Sequence, residues 1–394
     1  MNKIYKISLI FACVVVLALA FLVWLNNDLD KNKIDFKAVQ FDIKEDKNNI
    51  CIVTNEREFA DALDDERIQI IDIENDLDLG IKYLSSLKID SKYIEKHNEA
   101  LIHPVLKRTG VSKVKIKDRK NLIIRSKTGS KILHTNFVID NSENIKIENI
   151  YLDELWEWDE ETLGYYSKNN WDFITIKNSK NVLINNCKFG KSYDGITDIK
   201  ESQNITISNC EVLETDYLNN AFYNVQFDEL EHNIDKYKMY SFLRNEALLS
   251  KEQVKKLSAY QFKVYLIGTE DYGPKNENIV IHDCKFFNVK TRVPQVRNSS
   301  VYFYNNYVKS NESDYNAYMS YKQYVLIEEK YPKIVALQSY GVIAIQRAYV
   351  VVENCEFIGT TYKYTTSKNF DLRGLGRIVK KSASHHIIVG QKTK

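Results

Sequence analysis

Four short runs share one pattern of apolar and polar positions: Asn181-Val-Leu-Ile-Asn-Asn-Cys187, Asn204-Ile-Thr-Ile-Ser-Asn-Cys210, Asn278-Ile-Val-Ile-His-Asp-Cys284 and Tyr349-Val-Val-Val-Glu-Asn-Cys355. Two weaker copies are Asn144-Ile-Lys-Ile-Glu-Asn-Ile150 and Ser300-Val-Tyr-Phe-Tyr-Asn-Asn306. Each reads as a short β-branched strand followed by a polar corner. With the corners at 149, 186, 209, 283, 306 and 354, two gaps are 23 residues and the last is 48, close to two repeats. The gap of 74 is one repeat plus about 51 residues. A strand recurring at this period cannot bury its inner face alone. Stacking one coil on the next does so, which predicts a parallel β-helix. Asn at a repeated corner tolerates unusual φ/ψ and hydrogen-bonds the coils above and below as a ladder. Cys187 and Cys210, with Asn186 and Asn209, are therefore expected to stack in adjacent coils.

Two stretches break the strand pattern. Within about 211–262, Leu230, Ile234, Tyr237, Tyr240 and Leu243 have helical spacing, and Ser250-Lys-Glu-Gln253 is a capping box opening a second helix through Val254 and Leu257. This is a helical insertion on one coil, either a wall over a groove or a packing decoration. Glu58 to Leu63 suggests a short amphipathic helix before a strand from Ile68 to Ile73, a cap for the open end of the solenoid.

Composition sharpens the class. Net charge is +2, from 55 Lys and Arg against 53 Asp and Glu, so no global field calls for nucleic acid and any polyanion site must be a local patch. Gly is 13 of 394, so Asn, Asp and Ser must supply most turns. Lys3 and Lys6 precede an apolar run from Ile7 to Leu25, broken only by Ser8. Residues 1–25 are expected to be a signal sequence or a membrane anchor, with the body outside the cell, secreted or held on the outer face of the membrane. Residues 26–50 read as a solvated linker, 51–364 as the β-helix domain and 365–394 as a tail. A monomer is expected. Outside Cys13 there are five cysteines, an odd number that does not read as a disulfide scaffold. No C-x-x-C or H-E-x-x-H occurs, which argues against zinc. Buried free thiols at equivalent places in the repeat are expected.

Candidate chemistry sits in four places. Asp172 lies in Asn170-Trp171-Asp172-Phe173-Ile174-Thr175-Ile176, and Asp194 and Asp198 lie one coil on in Tyr193-Asp194-Gly195-Ile196-Thr197-Asp198-Ile199. Residues about 23 apart become neighbours when coils stack. The four-residue separation of Asp194 and Asp198 keeps both on one face of extended chain. Three converging carboxylates repel unless a hard cation neutralises them. An ordinary Asp-Gly turn with solvated aspartates is the other reading. Lys290-Thr-Arg292-Val-Pro294-Gln-Val-Arg297 places two rigid guanidinium forks around a proline, suited to carboxylate recognition or to surface ion pairs. Phe262-Lys263-Val-Tyr-Leu-Ile-Gly268, with Asp271 shortly after, is by itself only a strand.

In this order the four elements resemble the pectate lyases of polysaccharide lyase family one. Trp171 to Phe189 is similar to that family's strand pair ending in a W-I-D-H-like motif, and Asp194 to Asp198 to its D-G-x-x-D motif. Phe262 to Gly268 is similar to its K-x-x-L-I-G stretch, and Thr291 to Tyr307 to its x-R-x-P-x-x-R…Y-N-N-Y signature. The likeness covers roughly residues 50–360. It implies an all-β, right-handed parallel β-helix, calcium ligands at Asp172, Asp194 and Asp198, substrate contacts from Lys263 and Arg297, and a catalytic base at Arg292. Asn170 stands where the family often has another acidic residue, and Leu183-Ile-Asn-Asn186 lacks the family's aspartate and histidine.

The activity so implied is calcium-dependent β-elimination on an acidic polysaccharide, de-esterified polygalacturonate, with an alkaline optimum. A guanidinium has an ordinary pKa above ~12 and must give up a proton to serve as base. A glycoside hydrolase using Asp194 and Asp198 as a carboxyl pair, a lyase for methyl-esterified pectin or another polyuronate, and a non-catalytic glycan-binding β-helix are the rivals. Trp156, Trp158 and Trp171 are either sugar platforms or corner packing. The acidic run Glu154, Glu157, Asp159, Glu160 and Glu161 reads as a solvated turn at the cleft margin.

Overall fold

The structure is a computed structural model of the 394-residue chain and describes residues 35–41, 46–97, 99–161, 169–269, 276–366, 376–380 and 386–387. The expected anchor at 1–25 and Asp271 lie outside the described residues. Among the described residues, three sheets of ten, ten and nine strands run side by side, each strand pairing in parallel with its counterpart in the next coil. One antiparallel pair, Ile94–Lys96 with Ser112–Lys117, closes the end of the third sheet. This is the right-handed parallel β-helix expected.

The β-branched residues become continuous columns. In the first sheet Leu122, Ile145, Val182, Ile205, Ile279, Val301 and Val350 are paired in register and all buried. Two residues on, Ile124, Ile147, Ile184, Ile207, Ile281, Phe303 and Val352 repeat the pattern. The third sheet contributes Ile116, Ile139, Ile176, Ile199, Ile267, Val296 and Ala344. Every coil thus buries its inner face on the coils above and below, the only apolar surface within reach of a flat turn of chain.

The corners carry the polar ladders. The longest is not at the expected exit corner but at the strand entrance. Asn144 donates to Asn121, Asn181 to Asn144, Asn204 to Asn181 and Asn278 to Asn204 at 2.8–3.1 Å, with φ of 53–57° throughout. Asn suits this left-handed conformation when glycine is scarce. At the exit corner Asn186 donates to Asn149, but Asn209 donates to Asn185. The exit corner after Tyr304 is Asn305, with φ 54°, and not Asn306. Asn306 instead falls into the column of Cys187, Cys210, Cys284 and Cys355, where the backbone bonds run coil to coil. It is buried there, accepting from the Cys284 N–H at 2.9 Å and donating to the Ile281 carbonyl at 3.0 Å. The four column cysteines are free and buried, and Cys51 is free and half-buried.

The cap helix Glu56–Asp64 buries Phe59, Ala60, Ala62 and Leu63 at the first coil. In the insertion, the first helix runs Ala221–His232, earlier than the Leu230–Leu243 spacing suggested. The chain then breaks into a short turn at Ile234–Lys236 before Lys238–Ser241. The second helix, Lys251–Ser258, begins at the predicted Ser250–Gln253 capping box. The first residues do not behave as a free linker throughout: Lys37 N–H donates to Asn278 and Val39 N–H to Thr206. Beyond residue 364, Arg377–Lys380 pairs with Tyr349–Glu353, and His386–Ile387 with Glu356–Ile358. No helix among the described residues is long and apolar enough to cross a membrane.

Candidate active site

The third sheet gathers the chemistry. Ile174–Lys177 pairs with Thr197–Lys200 with Ile174 opposite Thr197, which sets Asp172 beside Gly195. The Gly195 N–H donates to Asp172 Oδ1 at 2.7 Å, and a Cβ on Gly195 would lie 2.6 Å from that same oxygen. Glycine is therefore required for the backbone to approach the carboxylate. Residues 194–196 bend rather than extend, so Asp194 and Asp198 reach the same place by a turn and not by strand alternation. Asp198 lies on the outer face of its strand, between the inward-facing Thr197 and Ile199.

Three aspartates in so little water perturb one another. Burial first, then the charges of Asp198 and Asp194, hold the Asp172 carboxyl well above the usual range, against the pull of the Gly195 N–H and Lys263. Burial also raises Asp198; Lys200, at 3.2 Å, and Arg292 oppose it, while Asp194 adds to it. Asp172 Oδ2 is fully buried and has no hydrogen-bond partner among the described residues. That oxygen has lost its hydration without replacement, and such an oxygen needs a cation or a proton.

Lys263 and the arginines are placed by neighbouring coils. The Lys263 ammonium is in short contact with Asp194 Oδ1. Gln261 fixes both: its amide donates to Ser192 Oγ, to the Asp194 carbonyl and to the Lys263 carbonyl, and it accepts from the Ser192 N–H. Arg292, half-buried at φ 62°, is pinned through its carbonyl, which accepts from the Tyr265 N–H at 2.8 Å. Arg297 ends the strand Gln295–Arg297, which pairs with Tyr265–Ile267. Lys290 nearby is buried over the rings of Tyr260 and Phe262 at 4.9 and 5.1 Å, and desolvation lowers its pKa to about 8.

The structure thus brings Asp172, Asp194, Asp198, Lys263 and Arg292 within electrostatic reach and sets Arg297 on the same sheet. Among the described residues the three carboxylates do not close on one point; Lys263 is seated on Asp194 and Lys200 on Asp198. The donor set nonetheless suits a hard dication: all oxygen, triply acidic and with one orphaned carboxylate oxygen. Asn170 is exposed, and its carbonyl meets His97 Nε2 at 3.1 Å.

One pair of alternatives is decided and one expectation is corrected. Trp156, Trp158 and Trp171 are buried, so they pack and do not offer sugar platforms. Trp156 stacks on Tyr223 and Trp158 meets Phe227 and Tyr240, all from the insertion. The acidic run is not a solvated turn: Glu157 is fully buried and accepts the N–H groups of Leu101 and Ile102 at 2.6–2.9 Å, with burial raising its pKa to about 7. Gln261, Gly195 and Lys200 were not singled out from the sequence. Gly195 was visible only within the Asp-Gly turn and the D-G-x-x-D likeness, and Gln261 and Lys200 lie just outside matched stretches.

A parallel β-helix with an acidic cluster, two arginines and a lysine gathered from neighbouring coils is the class of protein that fold and site define. Its relatives narrow this. The solved pectate lyase of Paenibacillus sp. 0602 superposes with a TM-score of 0.79 at 31% identity, covering 89% of this chain and 80% of that one. Pectate lyase B of Paenibacillus amylolyticus is 40% identical over 242 residues, 60% of this chain, and the match spans 62% of that relative's length. The pectate lyase of Bacillus sp. N165, solved with trigalacturonate, shares the fold at 15% identity and a TM-score of 0.50, covering 87% and 82%. No family model matches the chain. The chain belongs to the pectate lyase family.

Proposed function

We propose that the protein is a pectate lyase that cleaves de-esterified polygalacturonate by β-elimination. The observation that carries this reading is the orphaned, fully buried Asp172 Oδ2 beside Asp194 and Asp198, with Lys263 and Arg292 facing the same cluster. Asp172, Asp194 and Asp198 would hold a calcium ion, which when bound supplies positive charge to a substrate carboxylate and so makes the adjacent C–H more acidic. Lys263 and Arg297 bind and orient uronate carboxylates; the guanidinium fork of Arg297 reads both oxygens at once. Arg292 is the base. It takes the C5 proton, the C5–H electron pair becomes the C4–C5 double bond, and the C4–O4 bond breaks with the pair leaving on O4, which then takes up a proton. An arginine base requires deprotonation first, so an alkaline optimum is expected. The apolar run Ile7–Leu25 supports export, secreted or anchored, to where such a polymer is met.

The test is incubation with de-esterified polygalacturonate and calcium at about pH 9, a pH suited to an arginine base, following the ultraviolet absorbance of an unsaturated product. Chelation should abolish the signal and added calcium restore it, and Asp198→Asn should raise the calcium requirement. Full activity in excess chelator would remove the calcium mechanism. Binding of polygalacturonate without product at any pH would leave a glycan-binding β-helix.

A further inference from the structure

Gln261 and Ser192 are buried polar side chains that the catalytic reading does not use. Gln261 opens the strand Gln261–Lys263, and its side chain reaches the turn 192–195 of the preceding coil. The amide can face only one way. Its oxygen meets the Ser192 N–H at 3.0 Å, so its nitrogen meets acceptors: Ser192 Oγ at 2.9 Å, the Lys263 carbonyl at 2.8 Å and the Asp194 carbonyl at 3.2 Å. Two amide protons serve three acceptors, so one is shared. One residue earlier on each side, the Lys191 ammonium donates to the Tyr260 carbonyl, so the two segments are clamped at successive positions.

The bond to Ser192 is passed on. A hydroxyl that has accepted from Gln261 still has its own proton to give, and Ser192 gives it to the Gly195 carbonyl at 2.7 Å. The Gly195 N–H in turn donates to Asp172 Oδ1 at 2.7 Å. Asp172 therefore has one oxygen occupied, and the other, Oδ2, has no hydrogen-bond partner among the described residues. The bonds of Gln261 thus divide into two arms. One runs through Ser192 and Gly195 to Asp172, and the other ends directly on the backbone of Asp194 and Lys263.

We propose that Gln261 and Ser192 are positioning residues with divided duties: the Ser192 arm holds Gly195 against Asp172 Oδ1 so that Oδ2 is offered to a cation, and the direct arm from Gln261 to the Lys263 carbonyl aims the Lys263 ammonium for substrate. This rests on the lyase reading and adds to it two residues that act through others. Ser142 is the natural control. It is buried, accepts from the Arg119 N–H at 3.1 Å and donates to the Ile116 and Asp140 carbonyls at 3.1 and 2.9 Å, in a coil that contributes nothing to the aspartate cluster.

The experiment is calorimetric titration of the full chain with calcium alone, followed by KM for trigalacturonate at saturating calcium, on variants whose fold is checked by circular dichroism. Ser192→Ala cuts the first arm and leaves Gln261 bonded to Asp194 and Lys263. It should weaken calcium binding about 10- to 100-fold, as loss of a group that orients a metal ligand does, with KM unchanged. Gln261→Met keeps the length and removes both arms. It should weaken calcium as much and also raise KM about 2- to 10-fold, the worth of one hydrogen bond. Gln261→Asn, whose amide is one carbon short, serves for the KM comparison where Gln261→Met does not fold. Ser142→Ala should lower the melting temperature and shift neither constant. Wild-type calcium affinity in Ser192→Ala, or an equal shift in Ser142→Ala, overturns the relay to Asp172. Equal KM in the Gln261 variant and Ser192→Ala overturns the Lys263 arm. If the wild type neither binds calcium nor releases unsaturated product, the lyase reading itself fails. If it does both while Ser192→Ala and the Gln261 variant match it, only the positioning roles fall.

Discussion

Along the inner face of the first sheet, successive coils present nearly the same residue: Leu122, Ile145, Val182, Ile205, Ile279, Val301, Val350. Along the outer face of the third sheet, the equivalent column reads Val138, Thr175, Asp198, Leu266, Gln295, Ile343, and no two neighbours match. The same coils build both. Stability in a solenoid is close to a sum of identical nearest-neighbour terms, so the inner column gains by repeating itself. A site on one face needs a carboxylate on one coil and a guanidinium on another, so the outer column must stop repeating. The candidate site lies on such a non-repeating outer face, where each coil is free to present a different side chain.

The most damaging test of the repeating side is Ile207→Ala, which opens a cavity in the column Ile184–Ile207–Ile281 and should cost about 2–5 kcal/mol. Urea unfolding would read the loss, and kcat of the folded fraction should stay at the wild-type value. Next comes a corner where the ladder is charged. Burial pulls the pKa of His134 down, but the bond to Asp78 Oδ1 at 2.7 Å and the nearby Glu154 outweigh it and raise the value to about 9. Glu154 Oε2 is 3.1 Å from Nε2 without hydrogen-bond alignment. The folded value exceeds the ordinary one, so this stabilisation is complete below about pH 6.5 and is lost as pH rises through about 9. His134→Asn suits the local φ of 58°. Relative to it, the wild type should lose about 3 kcal/mol between pH 6 and 10. Parallel unfolding curves at all pH values would show that the corner is not titrating.

On the non-repeating side, Arg292→Lys keeps the charge but changes the base. It should cost at least ~100-fold in kcat with no change in melting temperature, while polygalacturonate binding survives. A near wild-type rate would place the base elsewhere. The smallest effect belongs to a single polar rung. Asn181→Leu removes the bonds to Asn144 and Asn204 and leaves their partners unpaired, for about 1–3 kcal/mol. A kcat change beyond the stability loss would blur the distinction between the two faces.

Much of this was legible because a solenoid writes its contacts at a fixed period. The β-branched runs, the Asn and Cys positions and the capping box of Ser250 each depend on residues within one coil, and stacking copies the result. The acidic cluster was legible for the same reason: Asp172 and Asp194 are about one period apart. The period misled at the corners, where the long Asn ladder runs at the strand entrance, and where a coil deviates, as when Asn305 takes the corner and Asn306 drops into the cysteine column.

What the sequence by itself determined is therefore the stack: the repeat period, the inward-facing β-branched columns and which acidic stretches fall on neighbouring coils. Only the tertiary structure decided which charges are partnered and which large side chains are buried. Glu157 looks like part of a solvated acidic run until Leu101 and Ile102 are brought to it across more than fifty residues. Trp158 fits either a sugar platform or corner packing until Phe227 and Tyr240 of the insertion cover it. Gln261 carries no mark in the chain, yet it ties Asp194 to Lys263. The physical reason is that burial and pairing belong to the neighbour across the coil or from the insertion, and those contacts follow no period.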